Sequence, residues 1–352
     1  MKINYLLLSA CLIYLFTACK KPDFDLNASY EKVTVVYGVL NYQDSIHYVK
    51  IYKGFQSHGE NQIFINAQNP DSIYYYDQIN VILQEWHNGA RTARANIPLQ
   101  MTRNFPRDAG FFYYGDERII YYTTDTLSKY LDYKIRITHK TTGEVIEAQT
   151  PMVGDARVLS TLTEFKMMEP KGRVRFEGVP SVGDNGYEIH VNFVYFEVDK
   201  TNQAVKIGRV RKNITPRVGE EIGKDYAGNF AKEFPQTFYE DIAAELERDN
   251  NVTRYMGLPG NNGSCIEIEI WAAGKSFMSF LLSNQPTNSF VQVNTIYTNI
   301  ETPSGGLAFG FLSSRSKSQA RYFTVTAESE QELISGPLTG HLGFRPWTEY
   351  KP

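Results

Sequence analysis

Short stretches in which apolar and polar residues alternate run through most of the chain and limit its choice of fold. Clear cases are KVTVVYGVL at 32–40, DYKIRITH at 132–139 and YEIHVNFVYFEVD at 187–199. Successive side chains of a strand point to opposite faces, so each stretch predicts a strand with one apolar face. Turn sequences separate the stretches, among them Asn88-Gly89 and KTTG at 140–143. Strands joined by turns, without long helices between them, predict a mainly β fold built as an antiparallel sandwich.

The length of 352 residues is enough for two domains, and QTPMVGDARV around Pro151 is typical of a join between them. We expect an N-terminal immunoglobulin-like or fibronectin-like β-sandwich over 31–152. A β-rich second domain should follow over 153–352, with one or two short helices. The clearest helix lies near 236–249, where Phe238, Ile242 and Leu246 recur every four residues. The apolar segment 274–285 predicts a second, shorter helix.

The first twenty residues indicate export. The apolar run 5–16 is far shorter than the ~20 residues that span a bilayer, which is typical of a signal peptide. Thr17 and Ala18 then precede Cys19, and this junction resembles the lipobox of bacterial lipoproteins, in which the cysteine is acylated after cleavage. Residues 1–18 are therefore predicted to be a signal peptide and 19–30 a lipidated tether. An ordinary secretory signal with an incidental cysteine is the alternative, and Cys11 lies inside the apolar run.

Charge and cysteine content exclude some classes of protein. The chain has 36 basic and 39 acidic residues, and losing Lys2 with the signal leaves 35 against 39, a net charge of −4. The charges are spread along the chain without a basic block, so no nucleic-acid partner is predicted. If Cys11 is removed and Cys19 is acylated, Cys265 is the one remaining thiol. We therefore expect no intramolecular disulfide, and we expect Cys265 to be a small, partly buried structural residue.

No local motif for catalysis or metal binding is evident. The six histidines never fall at i, i+2 or i, i+4, so no metal pair is encoded on one strand or helix. Glu267 and Glu269 should lie ~7 Å apart on one strand face. Glycosidases place their two carboxylates on opposite sides of the scissile bond, so we interpret this pair as the solvated face of a strand. We predict a protein without a cofactor, a metal or an enzymatic activity. A glycan-active hydrolase whose site is assembled from distant residues is the alternative.

Aromatic residues are unusually frequent, and the chain has 24 tyrosines. The two main aromatic clusters lie at 74–76 and 111–122. Neighbouring residues on a strand face opposite sides, so one core cannot accommodate every ring of a cluster. Tyr74 and Tyr76 should share the face opposite to Tyr75. We expect the outward rings to form a surface that contacts a partner or stacks on sugars, the candidates being Tyr74, Tyr75, Tyr76, Tyr113 and Tyr114. The alternative is that tyrosine suits the half-buried positions of a sheet.

Three segments behind the lipobox resemble a known group. They are VTVVYGVLNYQDSIHYVKIYKGF at 33–55, YKIRITHKTTGEVIEAQTPMV at 133–153 and YTNIETPSGGLAFGF at 297–311. In this order they are similar to the Bacteroidota outer-membrane lipoproteins grouped under a domain of unknown function, although TPS is inserted before Gly305-Gly306. The resemblance implies a lipid-anchored accessory or binding protein of the outer membrane, beside a TonB-dependent transporter in nutrient capture. It implies no catalytic residues, and it leaves the membrane leaflet open.

Overall fold

A computed structural model describes residues 33–54, 70–106, 118–159, 164–165, 167, 172–178, 186–214, 227–232, 237–284 and 297–351. Within these residues the chain forms twenty strands and four short α-helices, which confirms the predicted mainly β class. The lipidation candidate Cys19 and the aromatic residues Tyr113 and Tyr114 lie outside the described residues.

The first half contains nine strands and one short helix. They are β1 (Val33–Leu40), β2 (His47–Gly54), α1 (Pro70–Ile73), β3 (Ile79–His87), β4 (Ala90–Arg91), β5 (Ile97–Pro98), β6 (Gln100–Thr102), β7 (Ile120–Thr123), β8 (Asp132–His139) and β9 (Val145–Pro151). The turns predicted at Asn88-Gly89 and 140–143 join β3 to β4 and β8 to β9. Asn88, Gly89 and Gly143 have positive φ, as tight hairpin turns require.

These strands form two packed layers. One sheet has the order β4-β3-β8-β9, with β5 also paired to β3, and the facing layer contains β1, β2, β7 and β6. Apolar residues from both layers form the first hydrophobic cluster, including Val36, Ile51, Leu83, Ile135 and Ile146. The sandwich-like packing expected for this half is therefore present. In β1 the alternation holds, but the fully buried face is the one with Val36 and Leu40, whereas Val33, Val35, Tyr37 and Val39 are half-buried.

The second half contains eleven strands and three helices. They are β10 (Ala156–Leu159), β11 (Glu164–Phe165), β12 (Gly172–Gly178), β13 (Gly186–Asp199), β14 (Val205–Ile214), β15 (Ala227–Lys232), α2 (Thr237–Glu245), β16 (Val252–Met256), β17 (Ile266–Ala273), α3 (Lys275–Ser283), β18 (Leu307–Lys317), β19 (Arg321–Val325), α4 (Ala327–Ser335) and β20 (Phe344–Arg345). Helices α2 and α3 confirm the two predicted helices. Helix α4 was not predicted; its N-cap is Thr326, whose side chain accepts a hydrogen bond from the backbone N–H of Ser329.

A large sheet connects the two halves through strands that are distant in sequence. Its order is β20-β16-β13-β17-β18-β1-β2-β7-β6, and β1 pairs with β18 in parallel. This pairing needs Gly310 in β18, whose φ is +102°, because a Cβ atom there would lie 2.0 Å from the carbonyl oxygen of Val36. The core nevertheless forms two hydrophobic clusters: the first combines residues 36–152 with Ile300, Ala308 and Leu312 from late in the chain, and the second runs from Val153 to Phe344. The predicted two-domain division stays a prediction.

Strand β13 is the centre of the second half. It pairs with β14 on one edge and with β17 and β16 on the other. Tyr187, Ile189, Val191, Phe193 and Tyr195 are all buried on one face, as their alternation predicted. The opposite face is polar where β13 runs beside β17, with His190 next to Glu269 and Asn192 next to Glu267, and this part of the face leads to the candidate site.

Candidate functional site

The first predicted aromatic cluster does not lie on a strand. Residues 74–76 connect α1 to a 3-10 turn at Tyr76–Gln78, and Tyr76 has a φ of 47°. Tyr75 is 2% exposed, and its hydroxyl lies 2.5 Å from the hydroxyl oxygen of Thr34. Tyr74 and Tyr76 are half-buried and meet edge to face, with ring centroids 6.2 Å apart. The strand geometry expected here is therefore wrong, and Tyr75 belongs to the core.

A different aromatic group lies on the outer face of β2 and β7. Tyr121 is buried, whereas its neighbour Tyr122 points to the opposite face, as strand alternation predicts. There Tyr48 lies with its ring centroid 6.3 Å from that of Tyr122 and 5.0 Å from that of Phe105. We call Tyr48, Phe105 and Tyr122 the outer aromatic group. Tyr48 is 37% exposed, so the group is accessible at the surface; its use in binding stays a prediction.

Glu267 and Glu269 do not form a solvated face, and that interpretation is wrong. Glu267 is 3% exposed and Glu269 7%. Arg209 from β14 donates to Glu267 at 2.8 and 3.3 Å, the amide of Asn192 donates at 2.8 Å, and the Tyr322 hydroxyl donates at 2.7 Å. The alternating pattern places these acids outward from the core, but neighbouring strands supply long side chains that cover them.

The surroundings of Glu267 fix its charge. Burial alone would raise its pKa, but the hydrogen bonds from Arg209, Tyr322 and Asn192, together with the charge of Arg209, outweigh burial and lower the pKa. The carboxylate is thus ionised at neutral pH and its oxygens already have three donors. A general acid needs a pKa near the working pH, so Glu267 is suited to a structural role.

Trp271 lies on the same face, among charged side chains. Its ring centroid is 5.6 Å from that of the buried His190. The Lys317 ammonium lies 5.3 Å from the Trp271 centroid, and the Arg315 guanidinium 5.5 Å. Lys317 also pairs with Glu269 at 2.6 Å. These contacts are cation–π and ion-pair interactions at the edge of an open cavity.

This cavity is part of a cleft organised by Gln43, in the turn between β1 and β2. The Gln43 amide donates to the Lys317 carbonyl oxygen at 2.7 Å, and its oxygen accepts from the Lys317 backbone N–H at 2.8 Å. Asn41 holds the turn, because its side-chain oxygen accepts from the Gln43 N–H at 3.1 Å and its amide donates to Asp44 at 2.9 Å. The side-chain amide of Gln43 thereby makes the two backbone hydrogen bonds at Lys317 that a neighbouring strand would make.

Two cavities share the residues of this contact in their lining, and we call them together the Gln43 cleft. The larger has a volume of about 550 Å³ and the smaller about 430 Å³. Both are lined by Gln43, Lys317, Ser318 and Gln319. The larger also contains Tyr42, which packs on the first hydrophobic cluster, and Ala156 and Val158 of the second. The cleft therefore combines amide, charged and aromatic groups, the chemistry of a site for a polar ligand.

The remaining candidate features are the thiol of Cys265, a metal site and a membrane-spanning helix. Cys265 is free and fully buried, where only partial burial was predicted, and burial raises its pKa to about 12, so it is an inert core thiol. Among the described residues, no group of three or more His, Cys, Asp or Glu side chains is arranged to hold a metal. In the same part of the chain, no helix combines the length and apolar character needed to cross a membrane.

Comparison with known proteins gives no family. No family model matches the chain, and no curated protein matches it. Among solved structures, the C-terminal globular domain of an oligosaccharyltransferase from Pyrococcus abyssi matches 66% of this chain at 12% identity, with a TM-score of 0.26. The match spans 42% of that protein's chain. A similarity this low carries no argument, so the described residues themselves define the class: a mainly β protein with an open polar cleft.

Sequence reasoning missed the cleft. Gln43 and Lys317 are 274 residues apart and meet only because β1 pairs with β18. The usable signals were local ones, namely the Asn41-to-Asp44 turn after β1 and the basic residues that flank the break between β18 and β19. Neither the turn nor the basic residues predict that these two segments meet. The parallel pairing of β1 with β18 that brings them together cannot be recognised in a single sequence.

Proposed function

We propose that this protein is a lipid-anchored lipoprotein of the outer membrane that binds a polar ligand in the Gln43 cleft, without turning it over. The observation that carries the proposal is the cleft itself, in which Tyr42, the exposed amide of Gln319 and several charged side chains surround about 550 Å³ of open space. Aromatic and amide groups together suit a hydroxylated ligand such as a glycan. A TonB-dependent transporter beside it would take up the ligand.

The charges of the cleft favour binding over hydrolysis. Asp155 pairs with Lys129 at 2.5 Å, and Glu269 pairs with Lys317 at 2.6 Å. Glycoside hydrolysis needs one carboxyl group that gives up a proton and a second that attacks or activates water. Asp155 and Glu269 are each occupied by an ion pair with a lysine, so neither is a free carboxyl group placed to attack or to activate water, which supports a binding role. The glycan-active hydrolase remains the alternative, and release of reducing sugar by the purified protein would establish it.

Anchoring follows from Cys19. Each buried CH₂ of an acyl chain contributes ~0.8 kcal/mol, so two or more chains hold a protein on a membrane durably, where one chain would be marginal. We expect Cys19→Ser to move the protein to the soluble fraction and to abolish incorporation of labelled palmitate. Cys11→Ser is the matched control and should change neither. Palmitate that still enters Cys19→Ser would exclude lipidation at this junction.

Binding in the cleft is tested by capture of soluble glycans on cells or on detergent-solubilised protein. Tyr42→Ala removes the aromatic wall, and Gln319→Ala removes an exposed amide without disturbing the core. Both should weaken capture, whereas Tyr122→Ala in the outer aromatic group should not. If Tyr122→Ala abolishes capture and the two cleft variants leave it intact, the outer aromatic group is the binding surface and the cleft is not.

A further inference from the structure

The larger cavity of the Gln43 cleft has a charge opposite to that of the chain. Its lining includes four cations, Lys129, Arg157, Lys317 and Arg321, and one carboxylate, Asp155. The whole chain has a formal net charge of −3. The lining of this cavity is thus net positive on a chain that is net negative. A local positive potential in a concave, partly shielded space attracts anions more strongly than an exposed patch does.

Two of these cations are already neutralised and two are not. Lys129 pairs with Asp155, and Lys317 pairs with Glu269. Arg157 on β10 and Arg321 at the start of β19 are both exposed. Neither makes a hydrogen bond or an ion pair to a side chain that the structure describes. Each guanidinium thus presents planar N–H donors to the cavity, the group that binds carboxylate, sulfate and phosphate oxygens in pairs.

From this geometry we infer that the Gln43 cleft binds an oxyanion of its ligand through Arg157 and Arg321, and that the ligand is an acidic saccharide. This inference rests on the proposed glycan binding and names its substrate class. The arginines would hold the anionic group, while Tyr42 and the Gln319 amide contact the hydroxylated rings. A neutral sugar offers these guanidinium groups only uncharged hydroxyl acceptors, so the cleft should bind it more weakly than an acidic one.

The test measures binding of the detergent-solubilised full chain to immobilised polygalacturonate, dextran sulfate and neutral dextran. Arg157→Gln and Arg321→Gln should each lower the affinity for an acidic polymer about ten-fold or more, since each removes a charge-assisted contact. Arg248→Gln is the matched control, because Arg248 is exposed and lies outside the cleft. All three positions are exposed, so the melting temperature should not change. Higher salt should weaken binding of the unmodified chain.

Asp155→Asn should change the affinity for an acidic polymer in the direction opposite to the arginine variants. It removes the one carboxylate of the lining and releases Lys129 to the cavity, so affinity for an acidic polymer should rise. The comparison of polygalacturonate with dextran sulfate assigns the oxyanion as carboxylate or sulfate, and tight binding of either supports the inference. Weaker binding by Asp155→Asn, or an equal loss in Arg248→Gln, would overturn it.

The outcomes also separate this inference from the proposed function. If dextran binds as tightly as the acidic polymers, and Tyr42→Ala abolishes that binding while the arginine variants keep it, glycan binding stands and the oxyanion site is rejected. If none of the three polymers binds, both are rejected.

Discussion

The most direct test of the structural reading concerns Glu267. Glutamine has the same side-chain shape as glutamate but no charge. The substitution therefore removes a buried carboxylate that accepts hydrogen bonds from Arg209, Asn192 and Tyr322. Breaking a buried ion pair costs ~3–5 kcal/mol when both partners are buried. The Arg209 side chain is 41% exposed, so water can solvate it after the substitution. We therefore expect Glu267→Gln to lower the free energy of unfolding by about 2–3 kcal/mol.

The measurement is urea unfolding followed by circular dichroism at pH 7. The control is Glu349→Gln, which breaks the pair of Glu349 with Arg345, whose side chains are 52% and 57% exposed. An exposed pair of this kind contributes about 0–1 kcal/mol. If Glu267→Gln destabilises no more than Glu349→Gln, the carboxylate is not the centre of a buried network and the argument from its burial is refuted.

The same variant has a pH signature. Because the folded-state pKa of Glu267 is lowered, the unfolded chain binds more protons, and stability contributed by this group increases with pH. That contribution is fully present above the ordinary glutamate pKa of about 4.5 and is lost as the pH falls through the folded-state value. The stability difference between the unmodified chain and Glu267→Gln should therefore shrink below pH ~4.5. A difference that grows on acidification would contradict this assignment.

Two further predictions concern the core. Cys265 is fully buried and its pKa is raised to about 12. We therefore expect Ellman's reagent to label the native Cys19→Ser, Cys11→Ser chain only after denaturation, and dithiothreitol to leave its melting temperature unchanged. Rapid labelling of the folded chain, or a melting temperature that falls in the presence of reductant, would contradict this. Tyr75→Ala should lower the free energy of unfolding by ~3–5 kcal/mol, measured in urea, because it leaves a cavity in the core. Tyr122→Ala should lower it by less than about 1 kcal/mol. Equal losses in the two variants would contradict the assignment of Tyr75 to the core and Tyr122 to the outer aromatic group.

The fold class was predictable because alternation is a local property. Tyr133, Ile135 and Ile137 are buried on one face of β8, as the sequence pattern indicated, and the hairpin residues Asn88-Gly89 are in the expected turn. The helix near 236–249 was visible from its four-residue period and is present as α2. Each of these features depends on residues fewer than ten apart.

Features that depend on distant residues were not predictable. The alternation in β17 places Glu267 on the face away from the hydrophobic core. Glu267 is buried because β14 and β19 bring the long side chains of Arg209 and Tyr322 over it. Likewise, three consecutive tyrosines at 74–76 have strong strand propensity, yet the chain turns there between α1 and β3, and tertiary packing selects Tyr75 for the core. The Gln43 cleft depends on the pairing of β1 with β18.

That pairing also dictates an order of events during synthesis. Leu40 at the end of β1 is in register with Ser314, so the ladder cannot close until most of the chain has been made. At ~5–20 residues per second this interval lasts tens of seconds, during which one edge of β1 has no partner. An unpaired edge invites pairing with other chains. The first described strand can thus pair with β2 early, but its other edge stays open until β18, one of the last strands, is available, and in that interval the open edge can pair with another copy of the chain.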